Sequence, residues 1–238
     1  MTKVLSTLFC LCTVALSAQQ FSMDNTEDTI IIGFHMEAYF DHAIPIRDFG
    51  DDMYQNGVGV GFQMLYNVQG PIWLGLGLHT FRFDHFEVSY FDFDGGDRFE
   101  IEEITASRAV MGHLVARFQP IEGEIFTPYV QAGVGWHWYY TNTRLTDVEF
   151  DEEIDRFKDL DDSRLGYGIY AGVLITSRAM TNIGLDIRFG YLGNAAVEYM
   201  SSDPESRNYN GGFPIEYFEV NNSAVDMLNL NVGLTVRF

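Results

Sequence analysis

Eight stretches of this chain put an uncharged, mostly apolar side chain at every second position, and that alternation constrains the fold more than any other feature. They run Ile30, Ile32, Phe34, Met36, Ala38, Phe40, then Val58, Val60, Phe62, Met64, Tyr66, then Ile72, Leu74, Leu76, Leu78, Thr80. The fourth is Val110, Gly112, Leu114, Ala116, Phe118, and the fifth Val130, Ala132, Val134, Trp136, Trp138, Tyr140. Leu165 to Ile175, Ile183 to Tyr191 and Leu228 to Phe238 complete the set. A helix repeats its apolar face every three or four residues, so a period of two belongs to strands.

The interleaved positions are of another kind. They hold many glycines, among them Gly59, Gly61, Gly75, Gly77, Gly133, Gly135, Gly166 and Gly168, with His, Gln, Asn and a few charges. A soluble β-sandwich also alternates, but its polar face meets water and is normally rich in Lys, Glu and Thr. A glycine-rich polar face suits a narrow interior instead. Each oily stripe covers 9 to 11 residues, the length a tilted strand needs to cross a bilayer. The sheet is therefore read inside out, oily face to lipid and polar face to a lumen. It must close, because an open edge in hydrocarbon leaves backbone groups unpaired.

Connection lengths give the topology. Asn67-Val68-Gln69-Gly70-Pro71, Gln119 to Thr127 and Ser177-Arg178-Ala179-Met180 are short, whereas residues 41–57, 81–109, 141–164 and 192–227 are long. Short and long alternate along the chain, as in outer-membrane barrels with short periplasmic turns and long external loops. The expected fold is all-β: an eight-stranded antiparallel up-and-down transmembrane β-barrel over 30–238, with four long external loops and three short periplasmic turns.

Ahead of it, Lys3, the apolar run Val4 to Leu16 and the small residues Ala15, Ser17 and Ala18 have the layout of a secretory signal over 1–18. Residues 19–29 then form a periplasmic N-terminal segment. Cys10 and Cys12, the only cysteines, fall inside the signal, so the mature chain offers neither a disulfide nor a cysteine nucleophile. The expected location is the cell outer membrane.

At this point the sequence resembles the small eight-stranded outer-membrane barrels of Gram-negative bacteria, the group containing the OmpA barrel domain, OmpX, OmpW and the opacity proteins. The resemblance extends over roughly 28–238 as a pattern. Its most specific piece is the carboxyl end, Asn231 to Phe238, where Gly233, Leu234, Val236 and Phe238 are similar to the terminal signal read by the barrel assembly machinery.

Charge divides unevenly. The formal net charge is -20, and 26 of the 34 acidic residues fall in 41–56, 84–103, 143–162 and 193–224, together with only six basic ones. Such a chain is a poor match for nucleic acid, which requires a basic face. Asp92, Asp94 and Asp97 around Gly95-Gly96 are weak metal candidates, without EF-hand spacing or its terminal glutamate. No cofactor is expected beyond loosely bound divalent cations at the loops. Aromatics among these acids, such as Tyr90, Phe91, Phe150 and Phe157, point to loops that pack together or bind protein.

The interior positions carry a second group of candidates: Glu37, Asp186 and Arg188 mid-strand, Arg117 and Arg237 nearer the termini, and His35, His79, His113 and His137 between them. Buried charges need partners, and Glu37, Asp186 and Arg188 are expected to form one hydrogen-bonded cluster. An eight-stranded barrel is about wide enough for its side chains to fill, so this lumen network reads as a plug, with a gate or narrow conduit as the alternative. Arg82 and Arg108 share parity with the oily faces and fall just beyond the hydrocarbon band, where lipopolysaccharide phosphates would meet them. No catalytic residue is assigned: His42 and His85 adjoin Asp41 and Asp84, but neighbours on an extended chain point to opposite sides.

The function expected is that of a monomeric, non-enzymatic outer-membrane barrel acting through its external loops in surface interaction or envelope integrity. A narrow channel or small-ligand carrier, and an accessory barrel of a secretion machine, are the alternatives.

Overall fold

In the computed structural model the chain forms one closed barrel in the order β1-β2-β3-β4-β5-β6-β7-β8, every neighbouring pair antiparallel. The residues described are 33–53, 55–94, 97–120, 123, 125–150, 152–177, 180–202 and 218–238. The signal segment, residues 19–29 and Ile30 and Ile32 lie outside them, and so do the side chains of Asp92, Asp94 and Asp97. The strands are β1 Phe34–Ile46, β2 Gly57–Gln69, β3 Ile72–Asp94, β4 Asp97–Phe118, β5 Phe126–Asp147, β6 Glu152–Ser177, β7 Met180–Ser202 and β8 Phe218–Arg237. A short helix, α1 Arg47–Asp52, links β1 to β2.

The parity read from the sequence is the observed parity. Val60, Leu114, Leu165 and Leu234 stand outward, each about 60% exposed, while Leu65, Gln63, His137 and Arg188 on the other face are buried. Closure comes from the last strand returning to the first. Phe34 and Phe238 exchange both backbone hydrogen bonds, at 3.2 and 2.9 Å, and their rings lie 6.0 Å apart. The terminal aromatic thus sits at the seam.

The long connections differ from expectation. Residues 81–109 and 141–164 are not open loops but continuations of β3–β4 and β5–β6, paired out to Asp94↔Asp97 and Asp147↔Glu152. The β7–β8 pair likewise continues to Ser202↔Phe218. The acidic residues concealed the strands, because the same segments are rich in Phe, Tyr, Val, Ile and Thr, which favour a pleated surface. Nor is all of their acidity external: Asp41, Asp84 and Glu103 are buried. Asp84 accepts from the Ser202 backbone N–H at 2.7 Å and hydroxyl at 3.1 Å, tying β3 to β7.

Some inward glycines are sites of close strand approach. A Cβ on Gly135 would lie 1.8 Å from the Gly112 carbonyl oxygen, and one on Gly59 would lie 1.7 Å from that of Thr80. Other glycines make room for side chains, as Gly166 does for His137 and Gly172 for Tyr129. Gly135→Ala should therefore displace the β4–β5 ladder and destabilise by about 1–3 kcal/mol. Gly77→Ala, whose methyl would meet Val115 at 3.4 Å, should be close to neutral. The heat-induced gel shift of each folded barrel checks the contrast, and equal midpoints would refute it.

Candidate functional site: a stratified interior and a basic outer wall

The interior is filled in three layers. At the end carrying both termini, Leu65, Trp73 and Val115 form a small apolar cluster, with His35 stacked on Trp73 at 4.1 Å between ring centroids. At the far end a larger cluster includes Ala43, Phe49, Phe83, Met111, Tyr139, Leu192 and Met227. Phe49 of α1 is its keystone, wholly buried and edge-on to Phe83 at 5.5 Å and to Tyr199 at 5.0 Å. The Tyr199 hydroxyl donates to the Asp52 carboxylate and meets Ser223 Oγ at 2.7 Å. Burial and that carboxylate hold the phenol well above its ordinary pKa. Arg47 anchors the helix start to Asp226 at 3.2 Å.

Between the apolar layers lies one continuous polar network. Arg117 donates to both Glu37 oxygens, Nη1 to Oε1 at 2.6 Å and Nη2 to Oε2 at 2.7 Å, the bidentate geometry that makes such pairs strong. Tyr39 donates to Glu37 and, at 3.4 Å, to Asp186, while Tyr129 donates to Asp186 at 2.6 Å. Arg117 Nε reaches Gln131 Oε1 at 3.0 Å, and the amides of Gln131 and Gln63 exchange bonds of 3.0 Å. Gln63 Oε1 also accepts from Arg188 at 2.9 Å, and Arg188 Nε donates to Asn231 at 3.0 Å. Asn231 donates in turn to Asp41, whose other oxygen meets His79 Nδ1 at 2.6 Å. Both guanidiniums lie over tyrosine rings, Arg117 over Tyr129 and Arg188 over Tyr39, each at 3.9 Å, which adds cation–π attraction.

Glu37, Asp186 and Arg188 all belong to this one network, with a pairing that differs from the expected one. Glu37 and Asp186 come together, but the guanidinium between them belongs to Arg117, which also lies 3.8 Å from Asp186. Arg188 is held by neutral amide oxygens and aromatic faces instead. His113 and His137 meet at 2.7 Å between their Nε2 atoms, whereas Arg237 faces His35 across the ladder at the termini end. Tyr39, Tyr129, Asp41 and the two glutamines were missed as partners, although parity alone puts each of them inside.

On the outer surface Arg82 and Arg108 are direct cross-strand partners, and both are exposed. The neighbouring His42 and Asp41 point to opposite sides: Asp41 is buried, while His42 lies 3.5 Å from Asn56 Nδ2.

No family model and no curated protein matches the chain. Among solved structures it is similar to Neisserial surface protein A, with a TM-score of 0.44 and 15% identity over 86% of this chain and 97% of that one. It is also similar to a major outer membrane protein of Thermus thermophilus, at 0.45 and 14% over 87% and 100%. A third similarity is to the attachment invasion locus protein Ail of Yersinia pestis, at 0.43 and 12% over 87% and 99%.

Proposed function

We propose that this chain is an integral outer-membrane β-barrel, exported through a cleaved leader, that acts from its extended far-end strands in surface interaction or envelope integrity. The observation that carries the reading is the inversion of polarity: an oily belt on the outside and a hydrogen-bonded interior in which the charged Glu37, Arg117, Asp186 and Arg188 are buried. Only a bilayer covers such a belt without cost. The filled interior speaks against conduction or ligand carriage, since Glu37, Arg117, Gln131, Gln63 and Arg188 interlock across the lumen. We assign no catalytic role: Asp41 is committed to His79 and Asn231, and Asp84 to Ser202.

The reading includes a monomeric barrel without a cofactor, inserted by the barrel assembly machinery acting on Gly233, Leu234, Val236 and Phe238. The outer leaflet lipid meets Arg82 and Arg108, and divalent cations serve as counterions to the acidic far end.

Protease added to intact cells tests the orientation. Cuts are expected in the segments that join β3 to β4, β5 to β6 or β7 to β8, and none in the short turn 67–71. Cleavage confined to 67–71 would invert the barrel, and recovery of the chain in the soluble periplasmic fraction would remove it from the membrane.

A further inference from the structure

The outer wall of β3–β6 holds like charges face to face. Arg82 is paired across the ladder with Arg108, and two layers farther out Arg144 is paired with Arg156. Directly opposed like charges destabilise a sheet, and nothing in the barrel requires them there. A register shift between Arg82 and His85 keeps His85 on the same outward face, across from Ala106 and one strand from Asn142. These side chains close around a hollow of about 140 Å³ floored by Ile104 and Ala106, room for roughly four or five waters at about 30 Å³ each.

A second hollow, of about 520 Å³, continues toward the termini from the same arginine pair. Its walls are Phe40, Val58, Val60, Thr80 and Tyr140. The two hollows share Arg82 and Arg108, so one surface is apolar below and cationic above. The height is that of a membrane interface, because Trp138 lies one outward position below Tyr140, the residue facing Arg108, and aromatics collect at headgroup level. Among the described residues Arg82, Arg108 and Arg144 form no ion pair, whereas Arg156 is held by Glu153 at 2.8 Å and Lys158 by Asp161. The carboxylates bound the patch without neutralising its centre.

We propose that this wall binds a phosphorylated lipid of the surrounding leaflet. An acyl chain lies along Phe40, Val58 and Val60, one phosphate is bridged by Arg82 and Arg108, and a second anionic group enters the hollow beside His85, Asn142 and Arg144. The proposal rests on the outer-membrane reading above and specifies the lipid that the barrel wall selects. A guanidinium fork matches phosphate oxygens in pairs. An anion delivered within the membrane also avoids the repulsion that a net charge of -20 exerts on soluble polyanions.

The test uses the full-length barrel in neutral detergent, with bis-phosphorylated lipid A, the same lipid A stripped of phosphate, and inorganic phosphate as probes. Bound lipid is read by native mass spectrometry and protection by melting temperature. Lipid A should bind and raise the melting temperature of the wild type. The double variant Arg82→Gln/Arg108→Gln should bind it on the order of tenfold more weakly, and Arg144→Gln should weaken it to a smaller extent. Stripped lipid A should lose a similar factor, and inorganic phosphate alone should protect little. Wild-type binding by the double variant, or equal binding of stripped lipid, would overturn the site. Equal protection by inorganic phosphate would replace the lipid by a free anion and overturn it as well. A melting temperature lowered equally without lipid would show that the arginines serve the barrel instead. Fractionation of cells is read separately: a chain outside the outer membrane sinks the functional reading, while binding in detergent still decides the site.

Discussion

Arg117→Ala should destabilise the barrel by about 3–5 kcal/mol, the range for removing one partner of a buried ion pair. Glu37 and Asp186 are both wholly buried, and Arg117 is the one guanidinium that bonds Glu37 at both oxygens while standing near Asp186. Without it, the two carboxylates are left with the phenol donors of Tyr39 and Tyr129 and with His35 at 4.0 Å from Glu37. Arg188→Ala should be milder, about 1–3 kcal/mol, because it strands only the neutral oxygen of Asn231 and leaves Gln63 with Gln131 and Asp41 with His79. Neutralising the whole group, with Arg117→Met, Glu37→Gln and Asp186→Asn together, should recover part of the loss, since desolvated charge is then no longer present. Urea unfolding in detergent micelles, followed by tryptophan fluorescence, ranks the variants. A costlier Arg188→Ala than Arg117→Ala would mean that the network is wired differently.

The second large effect is expected at Phe49. This ring is completely buried between Phe83 and Tyr199, and truncating a buried phenylalanine to alanine typically costs about 3–5 kcal/mol. Here the loss should fall on α1 alone, because the barrel strands keep their own ladders. In Phe49→Ala, amide exchange in 47–53 should accelerate by at least about a hundredfold, while the β1–β8 seam, held by its own hydrogen bonds, should keep its protection. Planar-bilayer conductance should stay at background, since the layer of Glu37, Arg117 and Arg188 still fills the barrel beneath. Conductance appearing in Phe49→Ala would assign the seal to the helix and restore the channel reading. A collapse of protection throughout the barrel would show that α1 is part of its cooperative unit.

Which residues stand outward and which face the lumen was determined by the sequence alone. A strand has a fixed period of two, and one uninterrupted stripe of uncharged residues in each segment leaves a single choice of face. Strand count, antiparallel order and closure follow from the same pattern read as a membrane-spanning sheet, because an open edge in hydrocarbon leaves backbone groups unpaired; the place of Phe238 at the seam is seen only in the folded chain. Alternation says which side a residue occupies but not which neighbour it meets across the lumen. That depends on the stagger between strands, which sets Arg117, on β4, against Glu37, on β1, and leaves Arg188 to Gln63 and Asn231. The same stagger, with the register shift after Arg82, gathers His85, Asn142 and Arg144 around an arginine pair that parity had already placed outward. The charge of the acidic segments suggests loops, while their Phe, Tyr, Val, Ile and Thr favour strands. In the folded chain β3–β4 and β5–β6 continue beyond the oily belt as paired hairpins, and backbone hydrogen bonds, which composition does not record, hold the charged residues in strands.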